Sequence, residues 1–323
     1  MRKAAISVAL AGLAMWSLAP NSIASAGAAA AAAAPAAPAA VAAGGPCGTR
    51  TLSGTPYKHV IWVWMENHSY GTIIRSTQAP YINRLASQCG LATNYHNISH
   101  PSLPNYIAAT SGLGVGAVQI FAGDCSPGPG CTSAAPSIFG QGESWKSYDV
   151  SMPTNCDRTD SGEYAVRHNP AVYYTTLRNC LTNVEPYYRL AADLADNRLP
   201  AFSFITPNLI DDMHDGTVAQ GDGWLARELP AIFNSRAYQA GTVAVVITWD
   251  EGEGGFSSNC PTNVKDVGCH VATIVASPTT PAGTRSPLLL NHWSLLKTTE
   301  QLLGLPFLGK AASATSMTGP FEL

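Results

Sequence analysis

Two adjoining stretches decide the fold class: residues 59–65 read His-Val-Ile-Trp-Val-Trp-Met, and residues 66–69 read Glu-Asn-His-Ser. The first stretch is apolar and rich in β-branched and aromatic side chains, which is typical of a strand buried on both faces. The second stretch is entirely polar. In open α/β sheets ligands bind beyond the carboxyl ends of the strands, so this abrupt change predicts a central strand that leads into a ligand site.

Other segments repeat this pattern and alternate with helical ones. Residues 199–206, 241–248 and 271–277 are predicted to be buried strands, and residues 80–88 and 292–303 are predicted to be helices. The strand over 241–248 also leads into acids, at Asp250 and Glu251. Strands that alternate with helical segments predict an α/β fold with a largely parallel sheet.

The N-terminal residues predict export. Residues 1–3 are Met-Arg-Lys, residues 4–18 are apolar, and residues 24–26 are Ala-Ser-Ala, which is the small-residue pattern of a cleavage site. We therefore predict a signal peptide over residues 1–26. A retained membrane anchor is the alternative, although the apolar run is short for a membrane span.

Residues 27–46 are almost only Ala, with Pro, Gly and Val, and they predict a linker because they have little to bury. Residues 47–323 are then long enough for one large folded domain. Removal of Arg2 and Lys3 with the signal peptide takes the formal net charge from -3 to -5. This acidic balance gives no reason to expect a nucleic acid partner.

All eight cysteines follow residue 46, and an even number in an exported chain predicts disulfides. The short loops favour the pairs Cys125–Cys131 and Cys260–Cys269. Pairing of Cys156 with Cys180 and of Cys47 with Cys89 is then a guess. A zinc site is weakly supported because no Cys-x2-Cys pair is present.

The acids that follow the strands could hold a metal. Glu66 and Asn67 follow the first strand, and Asp250 and Glu251 follow the later one. Carboxylate and amide oxygens suit a hard divalent cation. Either pair alone is more simply a helix cap or a solvated turn, but two such pairs at two strand ends favour a metal site.

Residues 99–106, Ser-His-Pro-Ser-Leu-Pro-Asn-Tyr, place Ser102 in a proline-rich turn before a helical stretch over residues 106–110. A serine at a helix N-terminus can present its oxygen to an anionic ligand, and a base or a metal can activate it as a nucleophile. Asn105 could donate its amide to a phosphoryl oxygen. The alternative is an ordinary helix start.

Residues 208–216 hold three acids and His214 within a short polar segment after a predicted strand. They suit a cation or proton transfer, with a polar turn as the alternative. His168, in Arg-His-Asn-Pro, and His292, at the start of the last predicted helix, are more simply structural histidines.

Four motifs occur in an order that resembles one family. They are Val63-x-x-Glu-Asn-His-Ser-Tyr70, His100-Pro-Ser-x-Pro-Asn-Tyr106, Asp212-Met-His-Asp-Gly216 and Thr248-Trp-Asp-Glu-Gly252. The chain is similar over residues 58–303 to the bacterial phosphoesterase family of secreted acid phosphatases and phospholipases C, in the alkaline phosphatase superfamily. The block over residues 212–224 especially resembles secreted acid phosphatases of mycobacterial type.

The resemblance implies a three-layer α/β sandwich with a mainly parallel central sheet, like that of alkaline phosphatase. It implies the metal ligands Glu66, Asn67, Ser102, Asp250 and Glu251. It makes Ser102 the nucleophile and Asn105 a group that steadies the phosphoryl oxygens. Phosphate-binding or proton-transfer positions fall on His214, Asp215, His168 and His292.

By this resemblance the catalytic domain, residues 47–323, is a secreted or cell-wall-associated acid phosphatase. It would hydrolyse phosphate monoesters, with phosphoinositides among the candidates, through a phosphoserine. We expect one divalent metal ion, with calcium, magnesium or manganese favoured over zinc. Expected partners are small phosphorylated substrates and phospholipid headgroups, without stable membrane insertion. The alternatives are a phospholipase C-type phosphodiesterase and, more remotely, a non-catalytic cell-surface binding protein.

Overall fold

A computed structural model describes residues 45–51 and 57–323. The predicted signal peptide and the linker up to residue 44 lie outside these described residues. In the described part, ten strands, β1 to β10 in chain order, are His59–Met65, Gly90–Ala92, Tyr95–His96, Trp145–Asp149, Val184–Pro186, Phe202–Thr206, Val243–Trp249, Thr273–Ala276, Arg285–Ser286 and Leu290–Asn291.

The same part of the chain contains ten α-helices and several single-turn 3₁₀ helices. The α-helices, α1 to α10 in chain order, are Tyr70–Ile73, Pro80–Gln88, Ser102–Ser111, Val115–Val118, Cys180–Asn183, Arg189–Ala195, Val218–Phe233, Arg236–Gln239, His292–Leu303 and Thr318–Phe321. Several longer helices have clear end signals: α7 and α9 begin with capping boxes, and α3 ends at Gly112 in the left-handed conformation.

Eight strands form one sheet in the order β5-β4-β6-β1-β7-β8-β2-β9, and β3 pairs with β10 separately. The pairings β5-β4, β4-β6, β6-β1 and β1-β7 are all parallel. Strand β8 pairs antiparallel with both β7 and β2. The sheet is therefore mixed and mainly parallel, and β1 lies at its centre.

Aromatic side chains of strand β1 form the core between the sheet and helices α3 and α9. Trp62 and Trp64 are fully buried, and Trp64 packs on the ring of Tyr106 from α3 and on that of His292 from α9. The indole N–H of Trp62 donates to Thr299 of α9 at 2.9 Å. Burial of each large aromatic side chain contributes about 2–3 kcal/mol. Helices flank the sheet, and the predicted three-layer α/β fold is confirmed.

The predicted elements occur with small differences. Helices α2 and α9 and strand β1 have the predicted bounds, whereas the strand predicted over 199–206 begins only at Phe202. Strand β8 differs in direction, because no α-helix crosses between it and β7. Without a crossover the chain returns beside β7 in the antiparallel sense.

All four suggested disulfide pairs are confirmed: Cys47–Cys89, Cys125–Cys131, Cys156–Cys180 and Cys260–Cys269. Four disulfides fit an oxidising compartment. Among the described residues, none of the helices combines the length and the apolar character needed to cross a membrane.

Candidate active site

The site lies where the central strands β1, β6 and β7 end. Glu66 follows β1 and Asp250 follows β7, and the pairing of these strands places the two acids side by side: the backbone N–H of Asp250 donates to the carbonyl of Met65 at 2.9 Å. Asp212 comes from the loop after β6, and its carbonyl accepts from the N–H of Glu66 at 2.9 Å. The carboxyl edge of the sheet therefore gathers acids from three distant segments.

Helix α3 brings Ser102 to the acids. The Ser102 hydroxyl, at the first position of the helix, donates to Glu66 Oε2 at 3.1 Å, and the residue is 2% exposed. One turn later the hydroxyl of Tyr106 donates to Glu66 Oε1. Because residues four apart on a helix share a face, α3 presents both hydroxyls to the same carboxylate.

The carboxylates form a cluster with which no lysine or arginine of the described residues makes an ion pair. Glu66, Asp212, Asp250 and Glu251 are all buried. Burial raises the pKa of each carboxyl well above its usual range, and for Glu66 and Asp250 the neighbouring carboxylates raise it further. Among the described residues, only histidines lie within ion-pair distance of these four acids. Such a cluster is unfavourable unless a cation binds or protons are retained.

A divalent cation fits the donor set. Asp250 Oδ2, Asp212 Oδ2 and His168 Nε2 are buried and make no hydrogen bond within the described part of the chain. In addition, Glu66, His168 and His214 each place a potential ligand atom within 4.8 Å of the others. Carboxylate oxygens with one or two imidazole nitrogens are ordinary ligands for divalent ions.

Asn67 joins this region through its backbone. Its N–H donates to Asp250 Oδ1 at 3.0 Å, and the residue has a φ of 50°, in the left-handed region that asparagine tolerates better than most residues. Its side chain lines the cleft above the acids. The assignment of Asn67 as a ligand stays a prediction.

His168 is buried among the acids. Its Nε2 lies 3.4 Å from Glu66 Oε1, and its Nδ1 lies 3.2 Å from Asp212 Oδ2. Its ring stacks on that of Tyr106, with centroids 5.5 Å apart. Burial lowers the pKa of His168 well below its usual range, so the imidazole is suited to act as a neutral ligand or hydrogen-bonding group.

His214 lies further out, between an acid and a cation. Its Nδ1 is 2.7 Å from Asp215 Oδ1, and its Nε2 is 3.1 Å from Nη2 of Arg167. Since a guanidinium can only donate, Nε2 accepts here and the proton of a neutral His214 is on Nδ1. His214 is thus held at the cleft with a cationic side chain beside it.

The side chain of Asn105 holds the turn before α3. Asn105 Oδ1 accepts from the N–H groups of Ile98 and Ser99, both at 2.9 Å. Its Nδ2 donates to the carbonyl of Ser99 at 2.9 Å and to Glu251 Oε2 at 3.2 Å. The buried amide therefore positions the turn and Glu251, and its predicted contact with a phosphoryl oxygen would require these bonds to rearrange.

His292 occupies a different place from the other predicted histidines. It is fully buried, its Nε2 lies 2.7 Å from the backbone oxygen of Asp250, and its Nδ1 lies 3.1 Å from the hydroxyl of Tyr95. Burial lowers its pKa to about 4. The structure supports a role in positioning Asp250 and places His292 out of reach of the cleft.

The acids open into a cleft of about 590 Å³. His100, Pro101 and His214 form part of its wall, and the segment from Gly252 to Phe256 forms another part. Gly252 is required here, because a β-carbon at this position would lie 2.6 Å from Ser69 Oγ and 3.0 Å from the carbonyl oxygen of Gly268. Of the four clustered acids, Glu251 lines this cleft.

The structure thus gathers Glu66, Ser102, Asp250, Glu251 and His168, with His214 and Asp215 at the rim. It adds four residues that were not predicted as site residues: Asp212, Arg167, Tyr106 and His100, which lies 3.1 Å from Glu251 Oε2. All four lie inside or beside the motifs already quoted. The spacing of four residues from Ser102 to Tyr106 could have predicted that both lie on one face of a helix. No sequence pattern predicts the contact of Arg167 with His214.

Comparisons with known proteins identify the family. The model of the phosphoesterase family matches residues 72–306. The phosphatidylinositol-3-phosphatase of Mycobacterium tuberculosis is 31% identical over 267 residues, which cover 81% of this chain and 82% of that protein. The acid phosphatase of Aspergillus fumigatus is 27% identical over 80% of this chain, and the match spans only 58% of the fungal protein.

Solved structures with the same fold are more distant in sequence. A protein of the alkaline phosphatase superfamily from Vibrio parahaemolyticus superimposes with a TM-score of 0.55 at 10% identity, covering 84% of this chain and 73% of that one. The lipoteichoic acid synthase LtaP of Listeria monocytogenes gives a TM-score of 0.52 at 12% identity, with coverages of 81% and 74%. These similarities show the fold.

Proposed function

The chain belongs to the phosphoesterase family and is therefore a hydrolase of phosphate esters; from this premise we propose that it is a secreted, metal-dependent acid phosphatase that hydrolyses monoesters through a phosphoserine on Ser102. One observation carries the proposal: the Ser102 hydroxyl donates to Glu66 inside a buried cluster of four carboxylates. A serine so placed has a base beside it and, when the cluster is occupied, a cation as well.

We propose that Glu66 and Asp250 hold one divalent cation, with Asn67, Ser102 and Glu251 as the further ligands implied by the resemblance. Asp212 and His168 are additional donors within the same cluster. When bound, such an ion supplies positive charge that offsets the charge of the acids and of the phosphoryl oxygens. Oxygen-rich ligands favour calcium, magnesium or manganese over zinc.

In the first step, the Ser102 oxygen attacks phosphorus in line with the ester oxygen. The Oγ–P bond forms, the bond from phosphorus to the leaving oxygen breaks, and Glu66 is placed to receive the hydroxyl proton. The hydrogen bond of 3.1 Å to Glu66 orients the serine hydroxyl. Catalysis of this kind rests mainly on positioning and electrostatics.

The leaving alcohol requires a proton, and His214 at the rim is the proposed donor. Arg167 contacts its Nε2 in the free protein, and an incoming phosphate would attract the guanidinium and release that nitrogen. In the second step, water attacks phosphorus from the leaving-group side and gives a proton to His214. The Oγ–P bond breaks, and Ser102 recovers its proton from Glu66.

A donor of this type predicts an acidic optimum, because only a protonated His214 can deliver the proton. His214→Ala should therefore slow alkyl phosphates more than aryl phosphates, whose leaving groups need less protonation. Comparison of the kcat ratios for the two substrates measures this effect. Equal losses on both substrates would count against His214 as the donor.

Two further parts of the proposal rest on related observations. Four disulfides and the predicted signal peptide support secretion. The relative named a phosphatidylinositol-3-phosphatase supports monoesters on lipid headgroups as substrates, together with small soluble phosphates.

The test is hydrolysis of a phosphate monoester and of a phosphocholine diester by the mature protein, across pH and with and without chelator. We expect release of phosphate from the monoester, an acidic optimum, and loss of activity with chelator that added divalent ion restores. Preference for the diester would establish the phosphodiesterase alternative. Hydrolysis of neither, in a folded and metal-loaded protein, would overturn the proposal.

A further inference from the structure

A second cavity, of about 870 Å³, lies beside the catalytic cleft. Arg75 and Arg285 form part of its wall, together with hydroxyl-bearing side chains that include Tyr70, Thr72 and Thr93. No Asp or Glu is among its lining residues. The hydroxyls of Thr72 and Thr93 donate to Glu253 and to the carbonyl of Ser286. The cavity therefore offers a ligand two permanent cations and the hydroxyl of Tyr70, which is the chemistry of an anion site.

In the described part of the chain, the ion pairs of lysine and arginine with carboxylates involve Lys146, Arg198 and Arg227, and neither Arg75 nor Arg285 takes part in one. Arg285 donates from Nη1 to the carbonyl of Ala86 at 2.7 Å and to that of Thr284 at 3.0 Å. These bonds anchor the guanidinium but do not neutralise it. The positive charge of both side chains is thus available to a ligand.

Tyr70 lines the cavity together with both arginines. Burial raises the pKa of its hydroxyl, and the positive charges of Arg285 and Arg75 lower it. The ring of Tyr70 stacks on that of His270, with centroids 4.5 Å apart and planes 8° apart. The shared lining places the phenol and both guanidiniums around the same cavity.

The backbone at Arg75 has an unfavourable conformation that the structure maintains. Its φ is 72°, in the left-handed region that residues with a β-carbon rarely adopt. The side chain of Asn83 holds this turn: its Oδ1 accepts from the N–H of Arg75 at 2.6 Å, and its Nδ2 donates to Ile73 and Ala79 carbonyls. Glycine would fit this backbone conformation better than arginine does.

The cavity also adjoins the catalytic cleft. Thr72, in the cavity wall, donates to Glu253 Oε1 at 2.7 Å, and Glu253 lines the cleft. We propose that Arg75 and Arg285 bind a phosphate group in this second cavity. The group is either a second phosphate of a substrate whose first phosphate lies in the cleft, or free phosphate. Binding here goes beyond the proposed function and requires no catalytic step.

Calorimetric titration of the full metal-loaded chain with inorganic phosphate tests the proposal. We expect two phosphate sites in the wild type, and in both Arg75→Gly and Arg285→Gln one of them should weaken by about tenfold or more. Arg75→Gly should also keep or raise the Tm, because glycine relieves the left-handed backbone. Loss of binding together with retained stability separates a ligand role from a structural one.

Asn197→Gly is the matched control, because Asn197 also has a positive φ, of 55°, and lies outside the cavity lining. This variant should keep both phosphate sites. Wild-type phosphate binding in both Arg75→Gly and Arg285→Gln would overturn the proposal. The titration measures binding alone, so a failure of the proposed hydrolysis would be seen separately.

Kinetics then distinguish the two sources of the phosphate. If the second phosphate belongs to the substrate, the arginine variants should raise KM about tenfold for a bisphosphorylated inositol and leave KM for a monophosphate unchanged. If the site takes free phosphate, both KM values should stay at wild-type levels while the calorimetric site is lost. Either result supports a phosphate site in this cavity.

Discussion

Two clusters of acids in this protein are organised in opposite ways. In one, Asp193 and Glu185 share Lys146, whose Nζ lies 2.6 Å from Asp193 Oδ2 and 2.8 Å from Glu185 Oε2. The hydroxyl of Tyr148 also donates to Asp193, at 2.7 Å. In the other, the cluster around Glu66, no lysine or arginine among the described residues makes an ion pair with the four acids.

The difference indicates what each cluster is for. A buried carboxylate is tolerated when the protein supplies the opposite charge, as Lys146 does for Asp193. Where the protein supplies none, the charge must come from a ligand or the proton must remain. We therefore interpret the Lys146 cluster as structural and the Glu66 cluster as a site for a cation and a substrate, and the following predictions test that distinction.

The largest expected effect is on catalysis. Ser102→Ala should lower kcat by roughly 10³-fold or more while leaving the Tm within a few degrees of the wild-type value. Tyr148→Phe removes the equivalent hydroxyl from the other cluster and should do the reverse, with unchanged kcat and a loss of about 1–2 kcal/mol in unfolding free energy. Steady-state kinetics and denaturant titration measure both. Wild-type turnover in Ser102→Ala would exclude the phosphoserine.

Removal of Lys146, the cation shared by Asp193 and Glu185, should lower the free energy of unfolding. Lys146→Met leaves Glu185 without a cation and Asp193 with only the exposed Arg198, whose Nε lies 3.9 Å from Asp193 Oδ1. We therefore expect a loss of about 2–4 kcal/mol in unfolding free energy. Metal content and kcat of the folded variant should remain at wild-type values. A fall in metal content would show that the two clusters are not independent.

Neutralisation of one acid in each cluster should have opposite effects on the metal-free protein. Asp193→Asn leaves Lys146 with one partner fewer and should destabilise the chain by about 2 kcal/mol. Asp250→Asn removes a charge from an uncompensated cluster and should stabilise the chelated protein by about 1–2 kcal/mol, while it lowers metal content. Unchanged metal content in Asp250→Asn, by elemental analysis, would contradict its role as a ligand.

Glu300 is accommodated in a third way, as a buried acid that keeps its proton. Its Oε1 accepts from the N–H of Leu308 at 2.9 Å, its Oε2 has no hydrogen-bond partner within the described residues, and burial raises its pKa to about 7. The pKa of Glu300 is higher in the folded chain than in the unfolded chain. Ionisation of this carboxyl therefore lowers the free energy of unfolding. Its contribution falls as pH rises from about 4.5 to about 7.

Glu300→Gln should remove that dependence and give the smallest of these effects. Relative to the wild type, the variant should gain about 1–2 kcal/mol between pH 5 and pH 7.5, because glutamine does not ionise and can still accept from Leu308. Denaturant titrations of both proteins across this range provide the difference. A constant difference at all pH values would contradict the raised pKa.

Local patterns predicted the central part of the fold. An apolar run of seven residues defined β1, and the ends of α2 and α9 followed from the spacing of their apolar residues. The longest helix, α7, was missed because Gly221, Gly223 and Pro230 interrupt its pattern. Tertiary contacts explain Gly221: a β-carbon there would lie 2.5 Å from the side chain of Met213.

The sequence predicted part of the candidate site. Residues directly after the strands were identified from sequence, because parallel strands bring their carboxyl ends to one edge. The roles of single histidines were not, since His168 and His292 look alike in sequence. Only their surroundings distinguish them: acids around His168, and Trp64 with the backbone of Asp250 around His292.

The sequence by itself determined which segments are apolar strands and that acids follow them directly. It also determined that Ser102 precedes a helical stretch and that the number of cysteines is even. The tertiary structure alone decided which acids have a cation. Lys146 and Asp193 are 47 residues apart, and Arg75 and Arg285 come from distant parts of the chain to line one cavity. Charge compensation acts through space between such segments, so no local pattern of residues records it.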